Sequence, residues 1–241
     1  MKSQDVAQNV APGRHDRNKA RRRTAILEST LELLRTTDIE KVSIEAIATT
    51  AGVAPATVYN LMGSRESLLL SCIDRVLNAL VDDLIRVPVN EDPLGSAVRI
   101  IERSCDAFIV DGDAFRQIVG AVNKIIRGGG AVLMDAGQLQ ILAMHAARDA
   151  GILSDDADPV AIGRQIFLSY NGALFAWAAR QLTDDGFRAA ALHGLWTVLL
   201  AWSAEAYREE FRDCATESAH RLVTSGYGSP VAQNMPISVR F

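Results

Sequence analysis

Apolar residues recur at helical spacing along most of the chain, and no window alternates apolar and polar residues convincingly as a strand would. Leu27, Leu31 and Leu34 have the spacing of a first amphipathic helix over about 18–36. Beyond Pro93 the same pattern predicts helices at about 94–110, 113–127, 131–149, 159–182 and 187–213. The pattern therefore predicts an all-α fold.

Between the first helix and these later ones, the sequence carries the signals of two short helices that meet at a tight corner. Ser43 offers an N-cap side chain to the first, and Gly52 can take the left-handed conformation that ends it. Pro55 suits the first position of the second, where its missing N–H is not needed, and Gly63 ends it. Ser64 can then cap a long fourth helix. Two short helices joined by a glycine turn indicate a helix-turn-helix, whose second helix enters the DNA major groove.

Both ends of the chain lack helical periodicity. Residues 1–17 mix polar side chains with Pro12 and Gly13 and predict a flexible arm. Residues 216–241 predict a loose tail, since they contain Gly226, Gly228, Pro230 and Pro236.

Charge is distributed unevenly on this chain of net charge −4. Ten Lys/Arg against seven Asp/Glu give residues 1–65 a charge of +3, so the remainder carries −7. A basic segment on an acidic chain hints at a nucleic-acid surface.

The cysteines, and the absence of long apolar runs, indicate a reduced, cytoplasmic setting. Cys72, Cys105 and Cys214 have neither a paired spacing nor a zinc-motif spacing. The polar start lacks the apolar run of a signal peptide, and no run of apolar residues is long enough to predict a membrane span.

Three segments around the predicted corner resemble the tetracycline-repressor (TetR) family. They are Val42–Ala48 (VSIEAIA), Ala51–Tyr59 (AGVAPATVY) and Gly63–Leu69 (GSRESLL), and the resemblance covers about residues 20–70. It implies a helix-turn-helix DNA-binding domain, which we predict over 18–65. It also implies a helical effector-binding and dimerisation domain, which we predict over 66–215.

The resemblance and the side-chain chemistry together imply a set of DNA-binding residues. Tyr59 and Arg65 are suited to phosphate contacts, while Thr57 and Asn60 are best able to reach base edges. Leu61 and Met62 depart from the aromatic or His and then Phe that the family often has, and Arg65 replaces its usual Lys. The predicted set is Arg21, Arg22, Arg23, Ser43, Ala54, Pro55, Ala56, Thr57, Tyr59, Asn60 and Arg65.

The predicted helix 159–182, and residues 187–205 of the predicted helix 187–213, are apolar on nearly every side, which requires burial on every side. A large monomeric core is one explanation. The resemblance favours another, in which the two helices pair with their counterparts in a homodimer. Such a dimer reads two half-sites of a near-palindromic operator.

The resemblance also implies a ligand pocket within about residues 94–182. Its apolar character favours a hydrophobic or aromatic small molecule whose binding releases the operator, as in a repressor. The predicted ligand-binding residues are Phe108, Phe115, Met134, Met144, His145, Phe167, Tyr170, Asn171 and Phe175.

Two other classes of function stay open, a helical enzyme and a helical protein-interaction module. The glycines at 128–130 lack the Lys-Ser/Thr signature of a phosphate loop. The histidines have no partner at metal-ligand spacing. We therefore predict a regulator that is not an enzyme and has no catalytic residue, metal or cofactor.

Overall fold

The computed structural model describes residues 13–86, 88–127 and 137–225, and these residues confirm the all-α prediction. Among the described residues, the β-type backbone pairing is a single isolated antiparallel bridge between Leu153 and Ser203. The helices are α1 (Arg14–Leu34), α2 (Ile44–Thr50), α3 (Pro55–Met62), α4 (Arg65–Arg86), α5 (Pro93–Ile109), α6 (Gly112–Arg127), α7 (Gly137–Asp149), α8 (Pro159–Ala178), α9 (Asp184–Ala201) and α10 (Arg208–Ser225), with 3₁₀ turns at Ile39–Lys41 and Glu205–Tyr207.

The chain divides into two compact units, the first ending at Leu68 and the second beginning at Leu69. Helix α4 runs across this division. The predicted domain boundary, after residue 65, falls within the first turn of that helix.

The first unit is built on a small apolar core. Ile26 and Leu34 of α1, Ile47 of α2 and Val58 of α3 are each at most 2% exposed. They come together because each helix carries its apolar residues on one side. Burial of such a side chain stabilises a fold by about 1.5–3 kcal/mol, so this cluster fixes how α2 and α3 are held.

The corner between α2 and α3 confirms the predicted helix-turn-helix. Gly52 has a φ of +64°, a conformation that disfavours any side chain. The amide of Val53 donates to the carbonyl of Ala48 at 2.9 Å, which closes the end of α2. Pro55 occupies the first turn of α3. The chain therefore turns from one helix into the next within four residues, 51–54.

In the second unit α8 is central and packs against α7 and α9, while α9 packs against α10. The α7–α8 contact is close at Gly163, where an added Cβ would lie 2.7 Å from the backbone nitrogen of Ile141. Only glycine fits there. The largest fully buried side chains of the unit are Trp177, Phe187 and Phe211.

A polar cluster joins α6, α8 and α9. One carboxylate oxygen of Asp184 accepts hydrogen bonds from Trp177 Nε1 and from the Arg116 guanidinium, each at 2.7 Å. The Arg116 guanidinium also lies 4.2 Å from the ring centroid of Trp177, and Phe187 stacks on the same ring with 5.3 Å between the ring centroids. Burial raises the pKa of Asp184, but these hydrogen bonds outweigh it and leave the pKa below its usual value.

Two predicted helix ends near this cluster were wrong. Helix α8 ends at Ala178 rather than near 182, because the chain leaves helical geometry and Arg180 takes a φ of +58°. Helix α9 starts at Asp184 rather than 187. Thr183 caps it by accepting from the Gly186 amide, and acidic residues are favourable in a first helical turn. Residues 184–186, which the predicted helix 187–213 leaves out, are therefore the first turn of α9.

The predicted single helix 187–213 is also wrong, because it is interrupted after Ala201. Residues 202–204 pair with 152–154, with Ser154 N donating to Trp202 O and Ala204 N to Ile152 O. A segment that pairs in this way cannot remain helical, so the chain restarts as α10.

The predicted limits of the arm and the tail were wrong in part. Residues 14–17 belong to α1, which continues its charged helical sequence towards the N-terminus. Residues 216–225 belong to α10, where Ser218 is buried, because the glycines and prolines that indicated a tail begin only at 226. Residues 1–12, 87, 128–136 and 226–241 lie outside the described residues.

Asp74 of α4 supplies a prediction about pH and stability. Its Oδ1 is buried and has no hydrogen-bond partner among the described residues, and burial raises the pKa of the carboxyl above its usual value of 3.8. The folded state therefore holds this proton more tightly, and stability falls as the pH rises through the window above 3.8.

We expect Asp74→Asn to raise the melting temperature at pH 7, with a gain that shrinks as the pH is lowered towards 4. Circular dichroism melts at several pH values measure this. Asp82→Asn, on an exposed position of the same helix, is the control and should have little effect. A gain for Asp74→Asn that does not depend on pH would contradict the explanation.

Candidate nucleic-acid interface and effector cavity

Helix α3 has an inner and an outer side. Val58 and Met62 are buried in the core of the first unit. Tyr59, between them, is 52% exposed, and Thr57 is half-buried. The other predicted contact residues of this segment are all exposed: Ala54, Pro55, Ala56 and Asn60. The helix therefore presents most of the predicted DNA-contacting residues to solvent, as a recognition helix must.

Ser43 stands at the start of α2 and is exposed. Its Oγ accepts from the Ala46 amide at 3.1 Å, so it is the N-cap that the sequence predicts. The hydroxyl proton is not used by this cap and can still be donated to a phosphate.

Two of the predicted DNA-binding arginines make contacts within the first unit. Arg23 donates from Nη1 to the carbonyl of Leu61, and Arg65 donates from Nη2 to the carbonyl of Ile39. Both side chains are half-buried. The Arg23 contact joins α1 to the end of α3, and the Arg65 contact joins the start of α4 to the 3₁₀ turn at Ile39–Lys41. Part of each guanidinium therefore stabilises the first unit.

The beginning of α1 is exposed and rich in cations. The sequence predictions include Arg21 and Arg22 but not Lys19, and they miss Arg14 and Arg17 because residues up to 17 are predicted to be a flexible arm. The helical pattern of residues 14–17 continues that of α1 and could have indicated them. The exposed cations of this segment are Arg14, Arg17, Lys19, Arg21 and Arg22.

The second unit contains a cavity of about 450 Å³. Five of the predicted ligand-binding residues line it: Phe108, Phe167, Tyr170, Asn171 and Phe175. The remaining described lining residues are Ile73, Leu77, Leu80, Ile100, Ile101, Ser104, Val119, Val122, Asn123, Leu139, Gln140 and Leu174.

The other predicted ligand-binding residues do not line this cavity where the structure describes them. Phe115 and Met144 are buried in the core, and Phe115 makes an edge-to-face contact with Phe108 at 5.1 Å between ring centroids. His145 is exposed, because it follows Met144 on α7 and therefore lies about 100° further round the helix. Met134 lies outside the described residues.

Sequence reasoning missed most of the polar lining residues. Ser104 and Tyr170 share a hydrogen bond between their hydroxyls. Burial raises the pKa of Tyr170 well above its usual value, so this phenol stays protonated. Gln140 donates from Nε2 to the carbonyl of Ala97 at 3.2 Å, while its Oε1 has no partner among the described residues. A glutamine within the apolar pattern of α7 was the available signal.

Other chemistry is sparse in the part of the chain that the structure describes. It contains no group of three or more His, Cys, Asp or Glu side chains placed to hold a metal ion. None of the helices there combines the length and the apolar character needed to cross a membrane. Burial raises the pKa of the Cys72 and Cys105 thiols to about 12, so neither is a reactive thiolate.

Comparison with known proteins matches the N-terminal part of the chain to a family of regulators. Residues 26–72 match the model of the bacterial regulatory proteins, tetR family. A curated relative is the HTH-type transcriptional regulator BetI of Rhizobium meliloti (strain 1021), which is 36% identical over 64 residues. That match covers 27% of this chain and 32% of the relative, so the chain spans about a third of the relative's length.

Solved structures extend the likeness to the fold of most of the chain. The repressor SmeT of the Stenotrophomonas maltophilia multidrug efflux pump SmeDEF gives a TM-score of 0.55 at 20% identity, over 76% of this chain and 91% of SmeT. A complex of SmeT with triclosan gives 0.56 over 76% and 92%. A TetR-family transcriptional regulator from Marinobacter aquaeolei VT8 gives 0.56 at 17% identity, over 81% and 98%. The helix-turn-helix of this chain is therefore similar to that of the bacterial regulatory proteins, tetR family, and its fold is similar to that of solved regulators of this kind.

Proposed function

We propose that the protein is a ligand-responsive transcriptional regulator that binds a near-palindromic operator as a homodimer. The observation that carries the proposal is the two-sided character of α3, which buries Val58 and Met62 and presents Tyr59 to solvent. Such a helix is held by a core and has a free outer side for the major groove. The function is binding rather than catalysis, and its place is the cytoplasm, where bacterial DNA lies.

Different residues on the outer side of α3 contact the bases and the phosphates. Thr57 and Asn60 carry the hydrogen-bonding groups for base edges, and Asn can pair bidentately with adenine. The small apolar residues at 54–56 suit contact with thymine methyl groups. The Tyr59 hydroxyl donates to a phosphate, which fixes the register of the helix. With so few direct contacts, part of the specificity comes from DNA shape.

The exposed cations at the start of α1 add sequence-independent attraction. Arg14, Arg17, Lys19, Arg21 and Arg22 lie within nine residues and are all exposed. Asp16 is the one acidic residue among them. A helical segment of this charge is attracted to the phosphate backbone.

Helices α8 and α9 supply the dimer interface. Leu168 of α8 is 61% exposed, and Val160 and Trp202 at the ends of the two helices are exposed as well. Exposed large apolar residues on such helices are typical of a surface that another subunit covers. A two-fold dimer brings two recognition helices to half-sites about 34–36 Å apart.

The cavity of the second unit holds the effector. Its volume of about 450 Å³ falls within the range of small-molecule pockets, and most of its lining is aliphatic or aromatic. SmeT, which shares the fold, has been solved with triclosan. We infer that an effector of hydrophobic or aromatic character favours a conformation that releases the operator, which makes the protein a repressor.

The test of DNA binding begins with selection of bound sequences from a random pool of duplexes. The enriched site then serves in gel-shift titrations of the unchanged protein, Tyr59→Ala and Tyr59→Phe. We expect Tyr59→Ala to weaken binding by about 10- to 100-fold, the value of a hydrogen bond of about 1.5–3 kcal/mol to a charged group. Tyr59→Phe should show most of that loss, because it removes only the hydroxyl.

Leu142→Ala is the matched control, since Leu142 is 54% exposed, as Tyr59 is 52%, but lies on α7. It should leave operator binding unchanged, and none of the three variants should lower the melting temperature appreciably. A random pool without any enriched site, or full affinity in Tyr59→Ala, would refute the proposed DNA contact. Compounds that release the enriched site then identify the effector.

A further inference from the structure

The chemistry of the cavity restricts the effector more narrowly than its apolar character alone, and this inference rests on the proposed effector function. None of the 17 described lining residues has a charged side chain. A charged ligand group would therefore lose its water without gaining an ion-pair partner from those residues, which is strongly unfavourable.

Two of the polar lining residues are hydrogen-bonded to each other. The hydroxyls of Ser104 and Tyr170 are hydrogen-bonded, and both residues are buried. Because the Tyr170 phenol stays protonated, this pair offers no negative charge to a cationic ligand.

Gln140 differs from that pair because half of its amide is unpaired. The residue is 2% exposed, and its Nε2 donates to the carbonyl of Ala97 on α5. A carbonyl oxygen can only accept a hydrogen bond, so the Gln140 amide must turn its nitrogen towards it. This fixes the positions of the amide nitrogen and oxygen. Oε1 is left as a buried acceptor with no partner among the described residues.

A buried acceptor without a partner is unfavourable, and a ligand that donates a hydrogen bond removes that penalty on binding. Gln140 lines the cavity, and the bond to Ala97 holds its amide in place before any ligand arrives. A fixed acceptor in an apolar cavity selects for donor groups, because a ligand that lacks one leaves the acceptor unpaired.

We infer that the effector is an uncharged, mainly apolar molecule with a hydroxyl or N–H group, and that this group donates to Oε1 of Gln140. Gln140 is then the residue that distinguishes a donor-bearing ligand from an equally apolar one without a donor. Asn123 and Asn171, the other amides of the lining, are available to a second polar group of the ligand.

Three biphenyls of nearly equal size test the inference by isothermal titration calorimetry with the full chain. They are 4-phenylphenol, which is a donor, 4-methoxybiphenyl, which is an acceptor only, and biphenyl-4-carboxylate, which is charged. We expect the phenol to bind about tenfold more tightly than the ether, as one hydrogen bond predicts, and the carboxylate to bind more weakly than both.

Gln140→Met keeps the length of the side chain and removes its amide. In this variant the affinity ratio of phenol to ether should fall to about one. Gln181→Met makes the same replacement at an exposed glutamine outside the lining, and it should keep the tenfold ratio. Circular dichroism melts establish that both variants are folded. If Gln140→Met does not fold, the ratio of the phenol affinity to the ether affinity in the unchanged protein tests the inference.

A ratio near one in the unchanged protein, or a preserved ratio in Gln140→Met, would overturn the inference. Failure of both neutral biphenyls to bind would overturn it as well, since the cavity is large enough for either. The titrations contain no DNA, so their outcome and that of the operator selection are independent. Loss of the ligand preference would leave DNA binding standing, and loss of DNA binding would leave the preference measurable.

Discussion

Leu168→Glu should convert the protein from dimers into monomers and weaken operator binding by about 10²- to 10⁴-fold, the range over which linking two binding modules raises affinity. Leu168 projects from α8 with 61% of its surface exposed in the single chain. In a two-fold dimer built on α8 and α9, one substitution places a carboxylate on each side of the interface. Two like charges in an apolar contact disfavour association strongly.

Sedimentation equilibrium measures the subunit association, and gel shifts on the full palindrome and on one half-site measure the consequence. Leu142→Glu is the matched control, because Leu142 is 54% exposed but lies on α7. It should remain dimeric and bind the operator normally. A dimeric Leu168→Glu, or an unchanged protein that binds one half-site as well as the palindrome, would refute the proposed assembly.

Trp177→Ala should lower the free energy of unfolding by about 3–5 kcal/mol, which is typical of removing a large aromatic side chain from a core. Trp177 is fully buried and stacks on Phe187. Its indole N–H also donates to Asp184, which Arg116 contacts at the same oxygen. The alanine variant therefore loses packing and one of the two hydrogen bonds of that carboxylate oxygen.

Urea unfolding of the unchanged protein and three variants separates these contributions. Trp177→Phe keeps most of the packing and should lower the free energy of unfolding by less than the alanine variant does. Leu142→Ala removes an apolar side chain that is 54% exposed and lies on α7, outside the proposed interface, so its effect should be small. If the two alanine variants proved equally stable, the cluster around Asp184 would not have the structural role assigned to it.

The first unit could be predicted well because its signals are local. Gly52 and Pro55 are separated by two residues at the corner, and the apolar spacing of α2 and α3 fixes which sides are buried. The contacts of Arg23 and Arg65 with backbone carbonyls could not be predicted, since each joins residues that are distant in the sequence. A cation near a DNA-binding surface is therefore not automatically free for phosphate.

The second unit was harder to predict because its helices are apolar on several sides. The start of α9 depends on the Thr183 cap. The Asp and Gly residues that follow Thr183 are typical of a loop, so they hide the start of the helix in the sequence. The cavity lining depends on how α4, α5, α6, α7 and α8 face one another, and periodicity does not define that. Five of the aromatic and polar candidates line the cavity, but the only sequence signal for Gln140 is its place within the apolar pattern of α7.

The bridge between Leu153 and Ser203 has a consequence for association. It ties the segment before α8 to the segment after α9, while the bond from Trp177 to Asp184 joins the other ends of the same two helices. The α8–α9 pair is therefore clamped at both ends within one subunit. Its outer surface acquires a fixed shape during folding, so formation of the proposed dimer there would cost little further conformational entropy.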